Sequence, residues 1–157
     1  MSLRENIPEA YREALERQVA ILGVGASGQA VRGLLNQLGA DSVFYDERSG
    51  DEDSVLRSLT PHEAQQHGLV IHSPAFQMDH PWLEVARAAR CIVVSELEFA
   101  QQFRRGPTLV VTGTNGKTTL QEFITFCLKR SGISAVAAGQ NQYPLSRLAV
   151  RPELDGV

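Results

Sequence analysis

Apolar positions along this chain fall into short aliphatic or β-branched runs separated by amphipathic stretches. Pro8–Arg17 places Ala10, Tyr11, Ala14 and Leu15 on one face and is expected to form a short helix. Gln18–Leu22 reads as a strand ending at Gly23-Val24-Gly25-Ala26-Ser27-Gly28. The helix after it runs through Gln37, with Ala30, Val31, Leu34 and Leu35 turned inward and Gly39 closing it. Ser42–Tyr45 is a second strand with Asp46-Glu47-Arg48 at its carboxyl end, and Ser49–Asp53 is a loop. Thr60-Pro61-His62-Glu63 is a capping box with proline at the first helical position, opening a helix that ends near Gly68. A strand Leu69–His72, a helix from Pro81 to about Ala89, a strand Cys91–Val94 and a helix Glu96–Phe103 complete this part.

Arg104-Arg105-Gly106-Pro107 is the expected joint, dividing the chain into 1–105 and 106–157. Past it come a strand Thr108–Val111, a glycine-rich loop, and a helix with Leu120, Phe123, Ile124, Cys127 and Leu128 at 3.6-residue spacing. Gly132 stops that helix, Ile133–Ala138 reads as a last strand, and no clear period continues from Arg147. Alternating strands and helices imply parallel sheets with right-handed crossovers. The expected fold is α/β: a Rossmann-like parallel-sheet domain followed by the start of a P-loop ATPase-type α/β domain. Ligands of such sheets bind beyond the carboxyl ends of the strands, where each motif below falls.

With 43% hydrophobic residues, 21% charged residues and a net charge of −3, the chain has the composition of a globular protein without a basic stripe. That argues against nucleic acid as a partner, so any anionic ligand must be held by loop amides and a few cations. The polar segment Met1–Arg17 does not read as a signal peptide, and no apolar run approaches the ~18 residues of a membrane span. We therefore expect a cytoplasmic protein, with no membrane association and no obligate protein partner evident. Cys91 and Cys127 are expected to be reduced core thiols. His62, His67, His72 and His80 lack metal-ligand spacing and read as solvated or hydrogen-bonded side chains.

The most specific motif is Thr112-Gly113-Thr114-Asn115-Gly116-Lys117-Thr118-Thr119, after Leu109-Val110-Val111. Its glycines let backbone N–H groups approach phosphate oxygens, and the helix N-terminus adds partial positive charge. Lys117 is placed to reach terminal phosphates and the Thr118 hydroxyl to ligate magnesium. The loop departs from G-x-x-x-x-G-K-[ST] because Val111 stands where the first glycine would be. Gly23-x-Gly25-x-x-Gly28 has dinucleotide spacing, and Asp46 lies 18 residues beyond Gly28, where an acid can bond a ribose hydroxyl. A diphosphate ligand, an NAD site and a merely tight β–α turn all satisfy that pattern. Ser73-Pro74-Ala75-Phe76 is either a turn or a ligand-contacting loop, and Ser95-Glu96-Leu97-Glu98 reads as a helix cap with acidic first-turn residues.

The loop T-G-T-N-G-K-T-T resembles the ATP-binding loop of the Mur ligases, the amide-forming enzymes of peptidoglycan synthesis. The resemblance extends from about Gln18 to Leu145 and is strongest to the D-glutamate-adding members. It is carried there by the Gly23–Gly28 loop, Asp46-x-Arg48, Ser73-Pro74 and Ser95-Glu96-Leu97-Glu98. The resemblance implies that the first domain binds the UDP part of UDP-N-acetylmuramoyl-L-alanine. Gly25, Ala26, Ser27 and Gly28 would lie along the diphosphate, Asp46, Glu47 and Arg48 along the uridine, and Ser73, Pro74 and Ala75 over the nucleotide. Gly113, Thr114, Asn115, Gly116, Lys117, Thr118 and Thr119 would hold ATP, with Lys117 catalytic on the phosphates and Thr118 on Mg2+. The family usually has glycine where this chain has Ala75, and Gly-Asn-Ile-Gly-x-Pro where it has Gly139-Gln140-Asn141-Gln142-Tyr143-Pro144. Gln140 would stand in for the substrate-contacting amide. The implied reaction adds D-glutamate through an acyl phosphate. Because the chain closes soon after the ATP loop, we expect an N-terminal portion of a longer ligase, inactive alone. A non-catalytic nucleotide-sugar-binding module and an NAD-dependent oxidoreductase are the competing readings.

Overall fold

Val19-Ala20-Ile21-Leu22 is apolar at every position, as a strand covered by helices on both faces must be. In the computed structural model, which describes residues 7–48, 55–74, 76–104, 106–139 and 143–150, this run is β1 (Val19–Leu22) of a five-stranded sheet. The other strands are β2 (Ser42–Tyr45), β3 (Val55–Leu56), β4 (Leu69–His72) and β5 (Ile92–Ser95), in the order β3-β2-β1-β4-β5, all parallel. Ile21 faces Phe44 on one side and Ile71 on the other. The two-residue alternation along β1 divides the core: Val19 and Ile21 join one apolar layer, Ala20 and Leu22 the other.

The first layer is closed by α1 (Glu9–Leu15), α2 (Ala26–Leu38), α5 (Glu96–Gln101) and α7 (Leu145–Ala149), through residues such as Tyr11, Leu34, Leu35, Phe99 and Ala149. The second is closed by α3 (Pro61–Ala64) and α4 (Pro81–Ala88), through Ala64, Trp82, Leu83 and Ala86. The expected capping box forms at α3, and the helix cap expected at Ser95 is a capping box as well. Thr60 Oγ1 accepts from the Glu63 amide while Glu63 accepts from the Thr60 amide, and Ser95 and Glu98 do the same at α5. Gly39 takes the left-handed conformation that ends α2.

One backbone contact fixes how α2 meets β1. A Cβ built on Gly28 would stand 2.0 Å from the Gly23 carbonyl oxygen, so only glycine permits this approach of helix to strand. Gly23 itself has φ +98° and turns the chain out of the sheet.

The structure corrects several expectations. β3 arises from Val55–Leu56, a pair too short to carry a periodic signal, and pairs with Phe44 and Tyr45. The fourth strand starts one residue later than expected, and α3 ends at Ala64 rather than near Gly68. Thr108–Val111 and Ile133–Ala138 form no strands. Neither segment has a strand partner among the described residues, and an unpaired β-branched run gains nothing from extension alone. The helix after the glycine-rich loop, α6 (Lys117–Arg130), is as long as expected but buries none of its residues. Leu109, Val110, Phe123 and Phe126 are 67%, 79%, 62% and 61% exposed. Cys127 is therefore exposed, while Cys91 is a buried thiol donating to the carbonyls of Ala64 and His67. The tail that lacked a period contains α7, packed against α2 and α5. The loop expected at Ser49–Asp53 and Arg105 of the expected joint lie outside the described residues.

His67 bridges the second layer to β1. Its Nδ1 lies 3.0 Å from the Gln18 carbonyl, which can only accept, so Nδ1 carries the proton and Nε2 accepts from the Tyr45 hydroxyl at 2.9 Å. Burial holds the imidazole below its ordinary pKa and pushes the Tyr45 phenol up to about 12, so both groups stay neutral near pH 7.

Two predictions follow from these contacts. Because His67 is depressed in the folded state, the unfolded chain binds its proton first as pH falls below about 6.5. Stability should therefore be full above that pH and decline below it. His67→Gln should flatten this part of the profile in urea melts between pH 5 and 8. Gly28→Ala should cost roughly 3 kcal/mol or more, since backbone must move. Gly33→Ala in the same helix, where a Cβ meets nothing within 4 Å, should instead stabilise by about 0.5–1 kcal/mol.

Candidate functional site

In the order β3-β2-β1-β4-β5 the chain leaves β1 toward one side and β4 toward the other, so their loops part above the carboxyl ends of the strands. A cleft of ≈ 530 Å3 opens there, lined by Gly23, Gly25, Asp46, Glu47, Arg48, Ser73, Phe76, Gln77 and His80. Five residues expected to bind the UDP group, namely Gly25, Asp46, Glu47, Arg48 and Ser73, thus meet in one cavity, though they come from three loops.

The loop is held by its neighbours. The Gly23 amide donates to the Tyr45 carbonyl at 2.8 Å and the Ser73 amide to the Leu22 carbonyl at 3.1 Å, extending the sheet by one bond on each side. Asp46 accepts from the Val24 amide through Oδ2 (3.1 Å) and from the Arg48 amide through Oδ1 (2.8 Å). Its carboxylate therefore ties the glycine loop to the end of β2, with lone pairs left for a further donor. Ala26, Ser27 and Gly28 form the first turn of α2, whose Gly25 N-cap supplies no side-chain acceptor. By contrast α3, α4 and α5 are capped by Thr60, His80 and Ser95. The first amides of α2 are thus left for an anion. Pro74 is exposed beside Ser73 and does not line the cleft; Ala75 and Gln140 lie outside the described residues.

Phe76 was already part of the possible ligand-contacting loop Ser73-Pro74-Ala75-Phe76, but sequence reasoning missed Gln77 and His80 as part of this cavity. The available signal was their position directly after the Ser73-Pro74 end of β4, but their convergence with Asp46 depends on the strand order. His72, at the same strand end, is buried and donates from Nδ1 to the Ser73 carbonyl at 3.1 Å.

The second loop also begins its helix on a glycine, Gly116, with φ +74° and no side-chain cap. Gly113 has φ +150°. Lys117 Nζ donates to the Gly113 carbonyl at 2.7 Å and approaches that of Thr114 at 3.5 Å, so the ammonium rests over its own loop. Lys117 lines a second cleft, ≈ 710 Å3, together with Leu97, Glu98 and Gln101 of α5 and with Gly139. Thr114, Asn115, Thr118 and Thr119 are exposed.

At the start of α5 lies a buried carboxylate that the sequence reading left as a first-turn acid. Glu96, 1% exposed, accepts through Oε1 from the Ser146 amide at 2.7 Å and from the Ser146 hydroxyl at 2.8 Å. A residue at the start of α5 thereby caps α7, across 50 positions of sequence. The neighbouring Glu98 carboxyl is held below the usual range by the Ser95 amide and hydroxyl. Among the described residues no helix is long and apolar enough to cross a membrane, and no cluster of three His, Cys, Asp or Glu side chains is arranged to hold a metal.

No family model matches the chain. The UDP-N-acetylmuramoylalanine--D-glutamate ligase of Bifidobacterium longum subsp. infantis is 32% identical over 156 residues, 91% of this chain and 32% of that protein. The protein of the same name from Chlamydia pneumoniae is 34% identical over 82% of this chain and 33% of its own length. That from Lactococcus lactis subsp. cremoris is 28% identical over 88% and 34%. A solved structure, a pseudomurein peptide ligase type C from Methanothermus fervidus, superposes with a TM-score of 0.47 at 17% identity, covering 84% of this chain and 31% of that one. The chain spans about a third of the length of the curated relatives it matches. With such identity across most of its residues, it belongs to the Mur ligase family.

Proposed function

We propose that this chain is the nucleotide-substrate-binding portion, with the ATP loop, of a ligase that joins D-glutamate to UDP-N-acetylmuramoyl-L-alanine. The observation that carries the reading is the cleft at the carboxyl ends of β1, β2 and β4, where the glycine loop, Asp46-Glu47-Arg48 and Ser73 converge. Residues 1–105 take the UDP group, its diphosphate along Gly25 to Gly28 and its uridine beside Asp46, Glu47 and Arg48. Ser73 contacts the nucleotide from the end of β4, and substrate contacts by Pro74, Ala75 and Gln140 belong to this reading on the family resemblance alone. Residues 106–157 carry the ATP loop, Gly113 to Thr119. In this reading the protein works in the cytoplasm and serves cell-wall growth and division.

The family chemistry needs ATP as phosphoryl donor. The substrate carboxylate attacks the γ-phosphorus and ADP leaves; the D-glutamate amine then displaces phosphate from the acyl phosphate, forming the amide. For this, the chain offers an α6 N-terminus without a side-chain cap and the Lys117 ammonium, which needs only to exchange loop carbonyls for phosphate oxygens. Mg2+, which shields phosphate charge when bound, fits the Thr118 hydroxyl and the phosphate oxygens themselves, since it favours oxygen ligands and keeps several waters. Lys117 is the catalytic residue of this reading because it alone among the loop side chains brings a positive charge to the transferred group.

Calorimetry on the chain tests the first site. UDP and UDP-N-acetylmuramoyl-L-alanine should bind and NAD should bind more weakly; tighter binding of NAD would sink the assignment. Lys117→Ala, in the protein encoded by the whole reading frame, should abolish D-glutamate-dependent phosphate release while leaving UDP-ligand affinity nearly unchanged. An equal loss of both would refute the division into two sites.

A further inference from the structure

Part of the lining of the first cleft is aromatic, and no part of the diphosphate-binding reading uses it. Phe76 and His80 both line the cleft, with ring centroids 4.7 Å apart at 61°. Behind them Phe76 stacks on Trp82 at 6.1 Å and 29°, and His80 meets Trp82 edge-on at 5.3 Å. Trp82 is buried and braced in turn by Tyr45 at 6.2 Å. On its other side Phe76 packs against the glycine loop, its Cε2 lying 3.5 Å from where a Gly23 Cβ would stand. His80 is also immobilised. Its Nδ1 accepts the Trp82 amide at 3.2 Å as the cap of α4, while its Nε2 faces Glu47 Oε1 at 3.8 Å across the cleft.

A phenylalanine only half-buried, yet held on three sides, presents a fixed π-surface to a polar cavity. It has no polar atom with which to serve the loop, and its exposed part could have been covered more fully elsewhere at lower cost in water-exposed apolar area. What such a surface recognises is a flat, aromatic ligand group. Its place beside Gly23 sets it within a nucleotide's length of the diphosphate-binding turn, and Asp46 and Glu47, which line the same cleft, suit hydroxyl and N–H donors of a nucleoside. We infer that Phe76, braced by Trp82 and His80, is the platform on which the uracil base stacks, making it a specificity-determining residue. This inference rests on the UDP reading of the cleft and extends it to a residue that neither the glycine-loop pattern nor Asp46-x-Arg48 points to.

The test compares UDP with inorganic pyrophosphate, which lacks the base, by calorimetry on wild type, Phe76→Met and Phe76→Tyr. Methionine keeps apolar bulk without a π-face; tyrosine keeps the face. Phe76→Met should weaken UDP about tenfold or more, as loss of base–aromatic stacking does, and leave pyrophosphate unaffected. Phe76→Tyr should stay near wild type. UDP binding unchanged in Phe76→Met, or UDP and pyrophosphate weakened alike, overturns the stacking role while leaving the UDP site intact. Failure of wild type to bind UDP overturns the site itself. Trp82 is the only tryptophan of the chain, which gives a readout independent of any variant's folding. Stacking on Phe76 requires UDP, and not pyrophosphate, to change its fluorescence; identical spectra with UDP and without it count against the platform.

Discussion

The contact between Gly28 and the Gly23 carbonyl is the constraint from which the first site follows. A helix can reach the end of its strand this closely only where one residue has no side chain and another tolerates positive φ. Seated there, α2 aims uncapped amides at the space above β1, and the loop between them is short enough for Asp46 to tie it to β2. The same seating brings Leu34 and Leu35 onto the first apolar layer. Core packing and ligand geometry are thus set by one steric fact rather than by separate features.

The two glycine loops share local chemistry and differ in what stands behind them. Gly23–Gly28 sits on a sheet whose central strands are fully covered, and its first two residues are tied to the end of β2, Gly23 to the Tyr45 carbonyl and Val24 to Asp46. Gly113–Thr119 leads into a helix with no buried residue, and Lys117 finds its partners within the loop itself. A glycine-rich sequence is enough to form a phosphate-sized turn and an open helix N-terminus. Rigidity around that turn needs a paired strand below it, which Thr108–Val111 does not have among the described residues.

Contact across the chain is carried by a small number of polar bonds within apolar surroundings. Glu96 holding Ser146 closes α7 onto α2 and α5, so the segment bearing the ATP loop leaves from the end of α5 and returns to its start. On the opposite layer, His67 linking the Tyr45 hydroxyl to the Gln18 carbonyl performs the same service between α3, β2 and the entry to β1. Burial makes each of these bonds hard to give up, because neither partner would regain water on losing the other.

The strands β1, β2, β4 and β5, the helices between them, the caps of α3 and α5 and the two glycine loops were legible in the sequence, because each is written in neighbouring residues. Hydrophobic period, Ser or Thr three residues before Glu, and glycine after the last inward residue act over a few positions, and local energetics decide them. The family resemblance drew on the same local strings. Tertiary structure decided what depends on partners distant in sequence. Among the described residues it left Leu109-Val110-Val111 and residues 133–138 without a strand partner despite their β-branched character, and it exposed the apolar stripe of α6 that periodicity had turned inward. It made a strand of Val55–Leu56 only because Phe44 and Tyr45 lay alongside, and a helix of Leu145–Ala149 only because Glu96 and the faces of α2 and α5 were there to receive it. It also brought Phe76 and His80 into one cleft with Asp46. Local sequence fixes what a segment can become, but burial and hydrogen-bond completion fix what it does become, and both require a surface that another part of the chain supplies.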